Sequence, residues 1–512
     1  MAAREEHQHG MTGAAGEAMS DDGNDPRRWA ALGVVLVAGF MTLLDVSIVN
    51  VALPSIRARL NASSSTLSWV LSGYALTFGL VLVPSGRIGD ARGRRNVFVA
   101  GIALFTLASA AAGVASGSTW LVAARLVQGM AGGIITPQIT GLIQQLFRGE
   151  ERGRAFGFFG ATIGISTAIG PLLGGLIIKL FGTADGWRWI FYVNLPVGLL
   201  AIVLALRVIP HRARTRHERA GQDLDPVGVG LLGLGVVSLL LPFVQEREWK
   251  GSTKWLLVVL AALLLAGFVL WERRYERRGA QPVVNLELLK VRSYSFGALL
   301  GLLFFAGFTG IFFIFTLFLQ NGLGYSALLA GASLTPFALS SAVSATIGGR
   351  TITRYGRAQI AVGLALVALG FIGTDIAVGL VPGHRAALAT LLPLVVAGLG
   401  SGLVIAPNQS VSLSQVPPAQ GGAAGGVLQT GQRIGAAMGI AAIGAVFFSS
   451  LASHRGNYAV AYRHALYVNI AFVLLALAVA LADVVTNRQR QRVAARRQQS
   501  GATVTASTAP SS

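Results

Sequence analysis

Cysteine is absent from the 512 residues, which excludes disulfides, thiol catalysis and cysteine metal sites. Charge is scarce as well. Only 12% of residues are Asp, Glu, Lys or Arg, about half of the roughly 25% usual in soluble domains. Acids are the scarcer sign, 21 against 41 basic residues, and only four of the basic residues are lysine. No G-x4-G-K-[ST] phosphate loop occurs, which argues against an ATP-driven pump on this chain. The seven histidines fall in tails or loops, without a His/Glu metal constellation, and there is no nucleophile elbow. These absences point away from an enzyme, a bound cofactor or a metal. No cleavable signal peptide is evident, because the first apolar run is too long and leads into others.

Apolar residues and glycine are abundant instead: 53% of the chain is hydrophobic and 65 residues are Gly. A soluble domain cannot hide that much apolar surface, whereas a polytopic membrane protein presents it to lipid. Glycine lets membrane helices pack closely. A net charge of +20 would suggest a nucleic-acid partner in a soluble protein. Here the cations lie in short loops between apolar runs, so the partner they imply is the lipid bilayer.

The pattern predicts an all-α fold with fourteen spans, at 29–52, 66–85, 96–116, 119–142, 153–180, 190–209, 226–244, 254–272, 296–319, 327–347, 358–380, 387–410, 423–447 and 463–485. An even number puts both termini on one side. That side carries 29 of the Lys and Arg residues, the opposite side 10, and two, Arg125 and Arg433, lie inside spans. Cationic loops stay inside, so both termini are expected in the cytoplasm of a multi-pass protein of the cell membrane. The polar tails, 1–28 and 486–512, read as disordered.

One acid stands out. Asp45 lies deep in span 1, where a carboxylate is costly and marks an ion or substrate pathway. At about 1.5 Å per residue it sits roughly 24 Å from the cytoplasmic face, and Arg125 of span 4 roughly 9 Å below the outer face of a core about 30 Å thick. The two are at similar depth. Burial favours the neutral acid and a nearby guanidinium favours the carboxylate, so such a pair suits proton coupling. The alternative is a static buried ion pair. Asp375 in span 11 reads as an outer-interface residue or a second protonation site. Asp483, at the cytoplasmic end of span 14, reads as interfacial.

The chain also repeats itself. Gly86 to Arg94, between spans 2 and 3, and Gly349 to Arg357, between spans 10 and 11, both follow G-R-x5-G-R. Gly-rich spans with a proline recur at span 4 (Gly129, Gly132, Gly133, Pro137) and span 12 (Gly398, Gly400, Gly402, Pro407). Secondary transporters are often built from two similar halves. The halves are then 29–209 and 296–485, with spans 7 and 8 inserted within 210–295.

Several motifs resemble those of the major facilitator superfamily, specifically its 14-span drug:proton antiporters of the EmrB/QacA type. They are the GRIGDARGRR loop, the LLDVSIVNVALPSI stretch of span 1, Arg125-Leu-Val-Gln128-Gly129 in span 4 and Gly170-Pro171-Leu-Leu-Gly174-Gly175 in span 5. Trp187-Arg-Trp-Ile-Phe-Tyr-Val-Asn-Leu-Pro196 and Leu319-Gln-Asn-Gly-Leu-Gly-Tyr325-Ser326 match the 14-span branch. The chain departs at Ser166, where the span 5 motif usually has Gly, and at Ala91, where a basic residue is usual. The resemblance covers about 29–485.

It implies a monomeric exporter of drugs, antibiotics or other amphipathic small molecules, driven by the proton gradient without a cofactor. It implies that Asp45 and Arg125 are neighbours, bonded directly or through Asn50 or Gln128. It implies that Asp90 faces a helix N-terminus and pairs with Arg94 or Arg95, locking the outward-open state in a turn allowed by Gly86 and Gly93. Span 5, with Gly at four-residue spacing and Pro171, is expected to serve as hinge and seal through Gly170, Gly174 and Gly175. Aromatics suit flat amphipathic drugs. The substrate candidates are Asn50, Trp69, Tyr74, Gln128, the span 9 stripe Phe304, Phe308, Phe312 and Phe315, Asn408, Gln409 and Arg433. Arg433 can meet an anionic substrate or snorkel to the inner face. An uptake symporter and a non-transporting receptor are the competing readings.

Overall fold

The computed structural model describes residues 27–182, 184–210, 225–245, 249 and 251–507. Its fourteen membrane-length helices are α1 (Arg28–Leu60), α2 (Ser65–Arg92), α3 (Arg94–Gly113), α4 (Ser118–Leu146), α5 (Gly149–Phe181), α6 (Gly186–Val208), α7 (Pro226–Val244), α8 (Thr253–Arg277), α9 (Arg292–Gly322), α10 (Leu328–Tyr355), α11 (Arg357–Leu380), α12 (Leu391–Ser412), α13 (Pro418–Ser453) and α14 (Tyr458–Thr486). They carry the fourteen expected spans in order. Helices suit this sequence because in lipid every backbone N–H and C=O must be satisfied within the segment. Polar residues mark the ends. Ser63 accepts the Thr66 N–H at the start of α2, and Ser326 accepts the Leu329 N–H at the start of α10. Gly93 (φ +100°) and Gly356 (φ +54°) turn the chain between α2 and α3 and between α10 and α11, in a region that disfavours other residues.

The repeat is visible in the packing. In the first half α1 packs on α5 and α6, α2 on α4, and α3 on α4 and α6. In the second half α9 packs on α13 and α14, α10 on α12, and α11 on α12 and α14. Each pair is the other shifted by eight helices. The halves meet along two seams, α5 on α10 and α12, and α13 on α2 and α4. The inserted α7 and α8 pack on each other, and α7 reaches α2 and α13 through a cluster of Leu76, Val236 and Leu240 with Trp69, Ile434 and Ala437.

The N-terminal tail to residue 26 lies outside the described residues. The C-terminal tail, expected to be disordered from 486, continues the last helix to Ser507, in keeping with its Ala, Gln and Arg, all good helix formers. His464 lies within α14, not in a loop. Asp483, near the end of α14, is 3% exposed, bonded by Arg292 at 3.1 Å and in an ion pair with Arg357. The two cations start α9 and α11, so the folded half brings charge partners to an acid that the linear pattern leaves at a helix end.

Candidate functional site

Asp45 and Arg125 meet. The Arg125 guanidinium donates to the Asp45 carboxylate at 2.5 Å, and Asp45 is 0% and Arg125 1% exposed. The second carboxylate oxygen accepts from the Gln128 amide at 2.8 Å and from the Asn194 amide at 3.1 Å. Both amides also reach the Ser109 hydroxyl. Arg125 further donates to the Gln128 side-chain oxygen at 2.6 Å and, through Nε, to the Val70 carbonyl at 3.1 Å. Its Cζ lies 4.3 Å from the centroid of the Tyr74 ring. Helices α1, α3, α4 and α6 thus converge on one carboxylate. A buried charge survives only when paired and hydrogen-bonded, and this one is both. Adding a proton to Asp45 would remove the countercharge of Arg125 with no water at hand to replace it.

Asn194 and Ser109 escaped the sequence reading. Asn194 sits where α6 breaks between Tyr192 and Asn194, which lets its side chain turn inward. Its place as a polar residue within the Trp187–Pro196 motif was the available signal. Ser109 lies in an Ala-rich stretch and carried none.

The Gly86–Arg94 loop forms a second constellation. Asp90 accepts the N–H groups of Gly422 (3.0 Å) and Ala423 (2.8 Å) at the start of the α13 helix, and Arg94 bonds Asp90 at 2.6 Å. Arg94 also donates to the Gly141 carbonyl and to that of Pro418. Asp90 satisfies N–H groups that an α-helix leaves free at its start and places negative charge at the positive dipole end. Arg95 takes no part; it donates to the Leu206 carbonyl at the end of α6. A Cβ on Gly86 would lie 2.3 Å from the Gly422 carbonyl oxygen, so the two backbones meet only because both residues are glycine. The halves are closed at this end.

Span 5 divides its glycines between two neighbours. Gly153, Gly157 and Gly164 lie against backbone of α10, while Gly170 and Gly174 lie against Ser47 and Ile48 of α1, two and three residues beyond Asp45. Pro171 abuts Gly331, and Gly175 faces Leu328. Ser166 fits where Gly was usual, and its carbonyl accepts from Ser47 Oγ at 3.2 Å.

The substrate candidates separate. Gln128 belongs to the Asp45 network. Tyr74 is buried beneath Arg125, and Trp69 packs on the inserted helix. Phe304 and Phe315 are core. Gln409 is buried too, and Asn408 is buried with its amide on the Gly297 carbonyl at 2.9 Å. Burial of these side chains follows from helix neighbours that a single-helix stripe does not reveal. Phe308 and Phe312 remain partly exposed, against Phe337. Asn50 is exposed, its amide on Val46 of its own helix. Arg433 does not snorkel: its Cζ lies 4.4 Å over the ring of Phe78.

Further acids have partners. Asp375 takes two bonds from Arg463, at 2.8 and 3.2 Å. Asp225 and Glu272, missed in the sequence, are buried at one end of the inserted pair. Asp225 accepts from the Gly228 N–H and the Trp271 indole, and Glu272 from the Val283 N–H. In the loop between α5 and α6, hydrogen bonds from Arg188 and Arg59 hold the Asp185 carboxyl below its usual range.

A family model described as Major Facilitator Superfamily matches residues 35–440. A probable actinorhodin transporter of Streptomyces coelicolor is 39% identical over 83% of this chain and 74% of its own length. A puromycin resistance protein of Streptomyces alboniger is 36% identical over 86% of each chain. A cephamycin export protein of Amycolatopsis lactamdurans is 33% identical over 88% of this chain and 91% of its own. Among solved structures, a proton:xylose symporter bound to a bromodeoxyglucose matches with a TM-score of 0.63 at 16% identity, over 89% of this chain and 95% of that one.

Proposed function

We propose that this chain, which belongs to the major facilitator superfamily, is a proton-coupled antiporter that exports drug- or antibiotic-like small molecules across the cell membrane by alternating access. The observation that carries this reading is the buried Asp45–Arg125 pair, because an acid of α1 sealed from solvent and bonded by side chains of α4 and α6 couples its own protonation to how those helices pack. Relatives named for antibiotic export and resistance supply the direction and the substrate class. The glycine face of α5 against α1 passes that change from the Asp45 helix to α10 of the other half. Asp90 and Arg94 hold the closed end, which the cationic loops assign to the cytoplasm. In this reading a monomer works with both termini inside and needs only the proton gradient.

The test is transport by purified protein in vesicles under an imposed pH gradient. Asp45→Asn should abolish proton-driven transport while the protein still inserts. Unchanged proton-driven transport by that variant would falsify the proposal. A gradient that drives substrate in the same direction as protons would make the chain an uptake symporter.

A further inference from the structure

Arg433 has no carboxylate partner and no hydrogen bond among the described residues; its Cζ lies over the face of Phe78, 4.4 Å from the ring centroid. It stands about 18 Å along the helix that begins at Gly421, at roughly 1.5 Å per residue, and so lies near mid-membrane. Its helix face is defined below it. Gly422 meets Gly86 and Asp90, Gly425 meets Thr140, and Gly426 meets Leu82 and Val83, while Gln429 bonds the Thr140 hydroxyl. These residues seal α13 against α2 and α4. Arg433 is one turn beyond Gln429 on the same face, and there the side chain is partly exposed rather than buried. It therefore stands immediately above the seal, where the side chain is no longer covered by α4.

We propose that Arg433 is the specificity-determining residue for an aromatic substrate bearing an acidic group, a carboxylate or phenolate. This deepens the export reading and rests on it. A guanidinium with no countercharge in a low-dielectric site attracts an anion strongly, and its planar fork matches a carboxylate in two hydrogen bonds. The rings beside it suit the rest of such a molecule. Phe78 stacks on Tyr74 with centroids 6.0 Å apart at 28°, and Tyr74 lies against Arg125. The row Arg433, Phe78, Tyr74, Arg125 thus runs from the substrate space to the Asp45 pair. Arg125 has its carboxylate within the protein, and Arg433 takes its own from the cargo.

The experiment uses fluorescein, an anion, and a cationic rhodamine ester, which share a xanthene ring and differ in charge. Binding is read by fluorescence anisotropy on the purified full chain, and export by reconstituted vesicles. Wild type is expected to bind fluorescein the more tightly. Arg433→Gln should lower fluorescein affinity, relative to the rhodamine, at least tenfold, and Arg433→Lys should recover part of it. Exchange of the anion for a proton moves at least two charges per cycle, so a potential negative on the substrate side should speed fluorescein export and leave rhodamine export little changed. An Arg433→Gln protein whose preference between the dyes is the same as wild type overturns the assignment, as does binding of neither dye. Proton-driven export of the rhodamine without fluorescein binding also overturns it, and leaves the export reading standing.

Discussion

The two halves of the molecule share a packing plan and differ in where they keep charge. Loops Gly86–Arg94 and Gly349–Arg357 each bring a glycine onto the backbone of the other half: a Cβ on Gly86 would lie 2.3 Å from the Gly422 carbonyl oxygen, and one on Gly349 2.4 Å from that of Gly153. Beyond that they part. The first loop carries Asp90, buried on α13; the matching position in the second is Thr353, exposed. The helix starts explain the difference. The α-helical part of α13 begins at Gly421, so the N–H groups of Gly422 and Ala423 are still free and an acid can take them. Helix α5 begins at Gly149, and the Arg152 N–H already bonds the Arg148 carbonyl, so at Gly153 none is left to take. The Asp–Arg pairs differ likewise. Asp45 and Arg125 are sealed, whereas the side chains of Asp375 and Arg463 are 14% and 37% exposed. The sealed pair at depth and the acid that caps the other half's helix thus lie in the first half, whereas the second half's buried acid, Asp483, is held by Arg292 and Arg357 within its own half.

The largest test of this contrast pits Asp45→Asn against Asp375→Asn. The first should cut proton-driven transport by roughly a hundredfold or more, since it removes the only countercharge of a sealed guanidinium. The second should change it by less than about twofold, because a water-accessible pair contributes only about 0–1 kcal/mol. Transport rates in vesicles decide it, and equal losses would erase the distinction between the halves.

Next in size is Gly86→Val, which drives a branched side chain into the Gly422 carbonyl. It should prevent closure and lower transport by roughly tenfold or more, at a packing cost of about 1–3 kcal/mol. The native chain has no cysteine, so a single Cys placed at the buried Leu413 reports closure by its labelling rate, which should rise.

Asp90→Asn keeps the shape and removes the charge at the helix start and from Arg94. A loss of about 1–2 kcal/mol should raise the same labelling rate by roughly 5- to 30-fold. Thr353→Asp is the smallest change. With no free N–H groups opposite, it should leave labelling within about twofold, below roughly 0.4 kcal/mol. A marked tightening would show that the second loop can be made to lock like the first.

Much of this was legible in sequence because membrane folding writes its rules locally. Span length, loop charge and the G-R-x5-G-R echo each depend on a short stretch of chain, and depth counted from the span ends puts Asp45 and Arg125 level. The third and fourth partners of that site were not legible. Asn194 reaches Asp45 from a break in α6, and Ser109 from a featureless face of α3. Their contribution depends on which helices converge, as does the fate of the phenylalanine stripe, where Phe304 is core and Phe308 is partly exposed. Glu272, the last residue of the span read at 254–272, carried no signal that its side chain is buried.

By itself the sequence determined the fourteen helices, the repeat and the acid at depth, since a span must satisfy its own backbone and any charge within it is conspicuous against lipid-like surroundings. Only the tertiary structure decided which charges are paired. Asp45 and Asp483 each find an arginine brought by the fold, Asp90 adds the N–H groups of Gly422 and Ala423 to its local Arg94, and Arg433 finds a ring instead of an acid. Hydrogen bonds and ion pairs act over a few ångströms, a distance that helix packing sets and that spacing along the chain does not.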